Sequence, residues 1–170
     1  MSDEIIQHSA RAVIAEAVRR SVTLTTAESC TGGMVSAALT AIEGSSAAFG
    51  WGFVTYSNLA KQTLLNVSAA DLERYGAVSE VVARAMAAGA RRASNADIAV
   101  AITGIAGPGG GSPAKPVGLV HFGVSTRTAS RHRVEMFGAL GRDQVREKSV
   151  IVALDLFREA LTDFGPSQTG

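Results

Sequence analysis

The order of apolar patterns predicts an α/β fold: a single three-layer α/β/α domain, with helices on both faces of a mixed, mainly parallel sheet that carries at least one antiparallel strand. Three observations support it. Helical and strand periods alternate along most of the chain. Asp97 to Thr103 is almost continuously apolar, as in a strand covered on both faces. Alanine and glycine are abundant while aromatic residues make up only 5% of the sequence, which suits helices packed closely on a sheet better than a β-sandwich. At 170 residues and 46% apolar, the chain is expected to form one domain over residues 1–164, with Gly165 to Gly170 as a disordered tail.

Each element can be justified in order. Asp3 to Arg20 sets Ile6, Ala10, Val13 and Ala17 on one helical stripe, widened by Ile14 and Val18, with Ser2 or Asp3 as cap. Val22 to Ala27 alternates as a strand and leads through Thr25 to Gly33 (TTAESCTGG). Met34, Val35, Ala38, Leu39 and Ile42 then carry a helical period ending near Glu43 to Ser46. Phe49 to Tyr56 is aromatic and β-branched and predicts a second strand, weakened by Gly50 and Gly52. Ser57 to Leu65 reads as a short helix, and Ser68 to Asp71 as a capping box opening another that stops at Tyr75 and Gly76. Ser79 caps a longer helix whose stripe is Val82, Met86, Ala90 and Ala93, with Arg84, Arg91 and Arg92 elsewhere on the cylinder. Asp97 to Thr103 is the expected sheet centre. Gly104 to Pro116, with five glycines and three prolines in thirteen residues, reads as a binding loop. Val117 to Thr126 and Arg133 to Phe137 are the last strands, joined as a hairpin across Arg127 to His132, and a final helix runs from Arg142 or Asp143 to about Asp163.

Composition narrows the partners. A net charge of +1 with 18% charged residues gives no electrostatic case for a dedicated nucleic-acid or membrane-surface binder, so the partner is expected to be a small molecule. The single cysteine cannot close an internal disulfide, the start Met-Ser-Asp-Glu is acidic, and no run approaches the roughly 18 apolar residues of a membrane span. These features predict a soluble, cytoplasmic protein. The apolar helices and low surface charge permit a homo-oligomer, with a homodimer as the possible state.

Chemistry is expected where strands end, in the loops Ala27 to Gly33, Tyr56 to Lys61 and Thr103 to Lys115. Ser29 and Cys30 stand at the mouth of a helix, where backbone N–H groups and the helix dipole would favour an anion or a developing oxyanion. Gly32 and Gly33 would let a ligand approach the backbone. The same residues also suit a simple N-cap at Ser29 or Thr31 followed by a tight turn. A serine nucleophile needs a base, and His8, His121 and His132 are poorly placed to supply one. Lys61 is the better candidate if burial or a nearby cation lowers its pKa; a solvated lysine on a short helix is the plain alternative. Ser57, four residues before Lys61, is a rival nucleophile. Cys30 suits a small buried residue better than a thiol nucleophile, and Glu28 could orient a polar partner, with a solvated carboxylate as the default. The glycine-rich loop is no Walker A sequence, because Lys115 is followed by Pro116. Arg142 and Arg146, one helical turn apart, could grip a phosphate. Nothing has metal-ligand spacing, and neither a metal nor an organic cofactor is expected.

Thr25 to Gly33, Gly52 to Lys61 (GFVTYSNLAK), Gly76 to Glu80 (GAVSE) and Thr103 to Gly118 (TGIAGPGGGSPAKPVG) together resemble the signature blocks of the CinA carboxy-terminal domain family. The resemblance covers about Ile5 to Leu161. It implies hydrolysis of the carboxamide of nicotinamide mononucleotide to nicotinate mononucleotide and ammonia. On the matching motifs, Ser29 would be the nucleophile, Lys61 its base and Tyr56 a positioning hydroxyl. Backbone N–H groups near Thr31, Gly32 and Gly33, or in the glycine loop, would hold the oxyanion, Thr103 and the Gly104 to Gly107 backbone would line the pocket, and Arg142 would meet the phosphate. Leu140 and Gly141 replace the Gly-Asp that precedes this arginine in the family, which leaves the reach of Arg142 open. The amino-terminal domain of longer CinA proteins has no counterpart here, which favours a stand-alone enzyme. Two other functions remain in view: a serine–lysine amidase of another substrate, and a non-catalytic nucleotide-binding or interaction module linked to competence or DNA damage.

Overall fold

A computed structural model describes residues 2–164, and the tail expected from Gly165 onward lies outside them. The elements are α1 (Ser2–Arg20), β1 (Leu24–Glu28), α2 (Met34–Thr40), β2 (Phe49–Val54), α3 (Asn58–Leu65), α4 (Ala69–Tyr75), α5 (Glu80–Ser94), β3 (Ile98–Gly104), β4 (Leu119–Ser125), β5 (Ser130–Met136) and α6 (Arg142–Asp163), with one 3₁₀ turn at Ser45–Ala47. Five strands form one mixed sheet in the order β2-β1-β3-β4-β5. β1 pairs in parallel with β2 and β3, while β4 pairs antiparallel with both β3 and β5, so β4 alone runs against the other four strands. The sheet is therefore mainly parallel in direction and closes on an antiparallel hairpin, as expected. The continuously apolar segment is the central strand.

The strands of the sheet centre treat their two faces differently. Ile98, Val100 and Ile102 of β3 join Leu24, Val120, Phe122 and Val124 in the larger core, which packs against α1, α2 and α6. Ala99 and Ala101, with Ala27, point the other way, toward Leu65 of α3 and Val82, Met86, Ala87 and Ala90 of α5. Small side chains on that face let α5 lie close to the sheet. At Gly123 of β4 the approach is closest: a Cβ there would stand 2.2 Å from the Ala83 carbonyl oxygen.

Several boundaries differ from expectation. β1 starts two residues later and includes Glu28, and α2 ends at Thr40, short of the Glu43 to Ser46 turn. β5 begins at Ser130, so the hairpin turn falls at Thr126 to Ala129, where the Thr126 N–H donates to the Ala129 carbonyl at 2.9 Å. His132, expected in a charged turn, is therefore a strand residue. β5 is an edge strand with an alternating, largely exposed pattern, and backbone pairing with β4 sustains it without an apolar run.

Chain order produces the site's location. From β1 the chain passes through α2 on one face to β2, and then through α3, α4 and α5 on the other face to β3, which lies on the opposite side of β1. Connections that leave a strand's carboxyl end in opposite directions open a crevice there. The loops after β1, β2 and β3 all border it.

Candidate active site

Ser29 follows the last residue of β1 and is half-buried, its N–H anchored to the Ile102 carbonyl of β3 at 2.9 Å. Across the crevice, α3 buries Lys61 to 1% exposure and brings its Nζ within 3.1 Å of Ser29 Oγ. The second Nζ contact is the Thr55 carbonyl oxygen, which accepts at 2.8 Å. Among the described residues Lys61 has no carboxylate partner. Burial pushes its ammonium below the ordinary lysine value of 10.5, against a smaller upward effect from Cys30. A neutral amine fits these contacts: one N–H donates to Thr55, and the lone pair faces the Ser29 hydroxyl. The solvated-lysine alternative does not hold for a side chain buried this deeply.

Ser57 is the N-cap of α3, and its Oγ accepts the Ala60 N–H at 3.0 Å. Its hydroxyl serves the cap, and the Lys61 Nζ contacts are Ser29 Oγ and the Thr55 carbonyl oxygen, not Ser57 Oγ. Cys30 is buried, and desolvation pushes its thiol up to about 11, so it stays protonated at neutral pH.

Glu28 departs most from expectation. It is fully buried, and its carboxylate accepts the N–H groups of Gly33 at 3.1 Å, Val35 at 3.1 Å and Ser36 at 2.8 Å, together with the Ser36 hydroxyl at 2.8 Å. The amino-terminal end of α2 therefore already holds an anion from its own chain. Gly33, with φ +100°, is the N-cap residue and makes no side-chain cap, so neither Ser29 nor Thr31 plays that part. The Gly32 N–H donates to the Ser29 carbonyl at 3.0 Å, which leaves neither glycine with a free backbone donor. Glu28→Ala is expected to lower folding stability by about 2–5 kcal/mol, because three backbone donors and a hydroxyl lose a charged acceptor. Chemical denaturation would read this as a lower midpoint, with Glu28→Gln intermediate.

Arg142 and Arg146 reach the site from the last helix. Arg142, exposed, donates to the Tyr56 hydroxyl at 2.9 Å and to the Gly107 carbonyl at 3.1 Å, tying the loop after β2 to the glycine-rich loop. Tyr56 is 60% exposed and makes no hydrogen bond to Ser29 or Lys61. Arg146, half-buried, donates through Nε to the Cys30 carbonyl at 3.1 Å and through Nη2 to the Thr31 carbonyl at 3.2 Å. Thr103 is buried and spends its hydroxyl on the Ala77 carbonyl at 2.8 Å, linking β3 to the GAVSE block. Gly104, directly after it, leaves no room for a side chain: a Cβ would meet Val120 Cγ2 at 2.7 Å. Gly107, with φ +83°, presents its carbonyl to Arg142.

The histidines are not part of this constellation. His121 Nδ1 and His132 Nε2 share a hydrogen bond of 2.9 Å under the start of α5, with Glu80 Oε2 3.6 Å from His132. Burial is the main cause that lowers both pKa values below 6.5; Glu80 opposes it in both, His132 and Lys115 reinforce it at His121, and Arg84 reinforces it at His132. The unfolded chain therefore takes up protons first as pH falls below that value, and stability is lost as pH drops through the folded-state pKa values. The thermal midpoint is expected to fall from about pH 7 to about pH 5, and His132→Gln should flatten that decline.

Among the described residues no group of three or more His, Cys, Asp and Glu side chains could hold a metal ion, and no helix is long and apolar enough to cross a membrane.

The sequence pattern of the CinA C-terminal domain matches residues 6–161. A CinA-like protein of Parasynechococcus marenigrum is 52% identical over 153 residues, which cover 89% of this chain and 36% of that protein. Another CinA-like protein, from Mycolicibacterium vanbaalenii, is 55% identical over 143 residues, or 84% of this chain and 34% of the relative. The chain thus spans about a third of the length of these curated relatives. Among solved structures, the competence/damage inducible protein CihA of Agrobacterium tumefaciens superposes with a TM-score of 0.90 at 46% identity, covering 94% of this chain and 96% of that one. A competence-damaged protein (CinA) superfamily protein of Escherichia coli gives 0.87 at 39% identity, covering 91% of this chain and 90% of that one. The chain belongs to the CinA C-terminal domain family.

Proposed function

We propose that this domain hydrolyses the carboxamide of nicotinamide mononucleotide, releasing ammonia and nicotinate mononucleotide, through a serine–lysine acyl-enzyme. The observation that carries this reading is the buried Lys61 amine 3.1 Å from Ser29 Oγ, with no carboxylate to hold it charged. Neutral Lys61 takes the Ser29 proton as Oγ attacks the carboxamide carbon. The tetrahedral oxyanion collapses as the lysine ammonium gives its proton to the departing ammonia. Water then attacks the ester with Lys61 again as base, and Ser29 recovers its proton as the acid leaves. The Thr55 carbonyl keeps the amine aimed throughout.

Arg142, exposed at the start of α6 beside Tyr56 and the glycine-rich loop, is the cation best placed to meet the nucleotide phosphate. It would exchange one of its present neutral acceptors for a charged one. Family membership supports the assignment.

The test is ammonia release by the purified protein from nicotinamide mononucleotide, nicotinamide riboside and free nicotinamide. Preference for the mononucleotide is the expected result. Release only from an unrelated amide would reassign the substrate, and release from no amide would favour a binding module.

A further inference from the structure

We propose that the open edge of β2 is the surface through which two copies of this chain pair, strand against antiparallel strand, across a two-fold axis at Phe53. The two edges of the sheet are built in opposite ways. β5 carries Arg131, Arg133 and Glu135, charges that guard an edge against stray pairing. β2 has no charged residue and no proline, and among the described residues no strand lies on its outer side. The neutrality reaches beyond the strand. Between Glu43 and Asp71 the only charged residue is Lys61, and that one is buried. In a chain that is 18% charged, this uncharged stretch exposes Trp51 to 57%, Val54 to 49% and Tyr56 to 60%. Exposed aromatic residues with charge depleted around them are the composition of an interface core.

Backbone direction gives the pairing. The Thr55 N–H donates to the Glu28 carbonyl at 2.8 Å, and the Trp51 carbonyl accepts the Thr25 hydroxyl at 2.8 Å, so residues 51, 53 and 55 turn their backbone groups toward β1. The N–H and C=O groups of Gly52 and Val54 therefore face the open edge. The register shift against β1 lies at the start of the strand, between Leu24 and Thr25, and leaves this part regular. Gly52 adds no side chain, so another backbone can approach it closely. Set antiparallel about Phe53, Gly52 of each copy meets Val54 of the other, and the four outward N–H groups of the pair each find a carbonyl. Trp51 and Phe53, stacked with centroids 6.0 Å apart, project from one face of the strand, so the two stacks adjoin across the axis. Charge selects the occupant. A two-fold axis sets residues near it against their own counterparts, where like charges repel, so a neutral edge suits a second copy, whereas a charged partner finds no counter-charge on it. This inference does not depend on the amidase reading.

Sedimentation and tryptophan emission test it together, because Trp51 is the only tryptophan. At micromolar concentration the wild type is expected at twice the mass of one chain. Dilution that splits it should move the Trp51 emission to longer wavelength with the same midpoint. Trp51→Glu should be monomeric at the concentration where the wild type is dimeric, with an unchanged circular dichroism spectrum, while Trp51→Phe should remain dimeric. The wild-type dilution decides the matter even where Trp51→Glu fails to fold. A wild type that is monomeric throughout overturns the proposal. So does a dimer that dissociates without a change in emission or persists in folded Trp51→Glu, because its contact would lie on another face.

Discussion

Ser29→Ala is expected to abolish ammonia release from nicotinamide mononucleotide, lowering kcat by at least ~10³-fold while the protein remains folded. The loss is specific because the hydroxyl makes few structural contacts: Ser29 is half-buried, and its N–H bond to Ile102 survives the substitution. Circular dichroism and the thermal midpoint should match the wild type. Cys30→Ala is the control. Its thiol, raised to about 11, contributes packing alone, so that variant should keep most of its activity and lose modest stability. If Ser29→Ala stayed fully active while Cys30→Ala lost activity, the nucleophile would be the thiol.

Lys61→Met should be equally inactive yet at least as stable as the wild type. A lysine buried to 1% exposure without a carboxylate partner is strained by desolvation, and methionine fills similar space without that cost. The pH dependence separates the two consequences. The folded Lys61 pKa lies below 10.5, so between that value and 10.5 the unfolded chain binds the extra proton and wild-type stability climbs with pH. Lys61→Met should lack that climb. In activity, kcat/KM of the wild type should rise with pH through a limb whose midpoint lies below the ordinary lysine value, because only the neutral amine accepts the serine proton. Thermal melts and rate profiles across neutral to alkaline pH measure both effects. A variant that stays active would remove Lys61 as base.

Those residues were the most legible part of the sequence. Continuous apolar character marked β3 as the sheet centre, and strand-end loops marked where Ser29 and Lys61 would converge. Glu28 was not legible, because a carboxylate is buried only when a helix end presents enough N–H groups to it, and that depends on where α2 begins relative to β1. Ser57 looked like a nucleophile because one-dimensional spacing cannot distinguish a residue on a helix face from the cap one position before it. β5 was drawn too short at its start because an edge strand can carry Ser130, Arg131 and His132 and still pair fully through its backbone. The two arginines of α6 were read as phosphate ligands because sequence shows charge; it does not show their acceptors in the fold, the Gly107 carbonyl and Tyr56 hydroxyl for Arg142 and the Cys30 and Thr31 carbonyls for Arg146. Only the folded chain brings those carbonyls within reach.

The distance in sequence between those partners also matters during synthesis. Arg146 closes contacts 115 and 116 residues long, and Arg142 closes one of 86 residues. A nascent chain that has reached β4 already contains Ser29, Lys61 and the whole glycine-rich loop, but neither guanidinium. At translation speeds of roughly 5–20 residues per second, the turn around Ser29 waits seconds for its clamp. A partly made chain therefore carries Ser29 and Lys61 without the two arginines that tie down the loops around them, and α6 is the helix that supplies both.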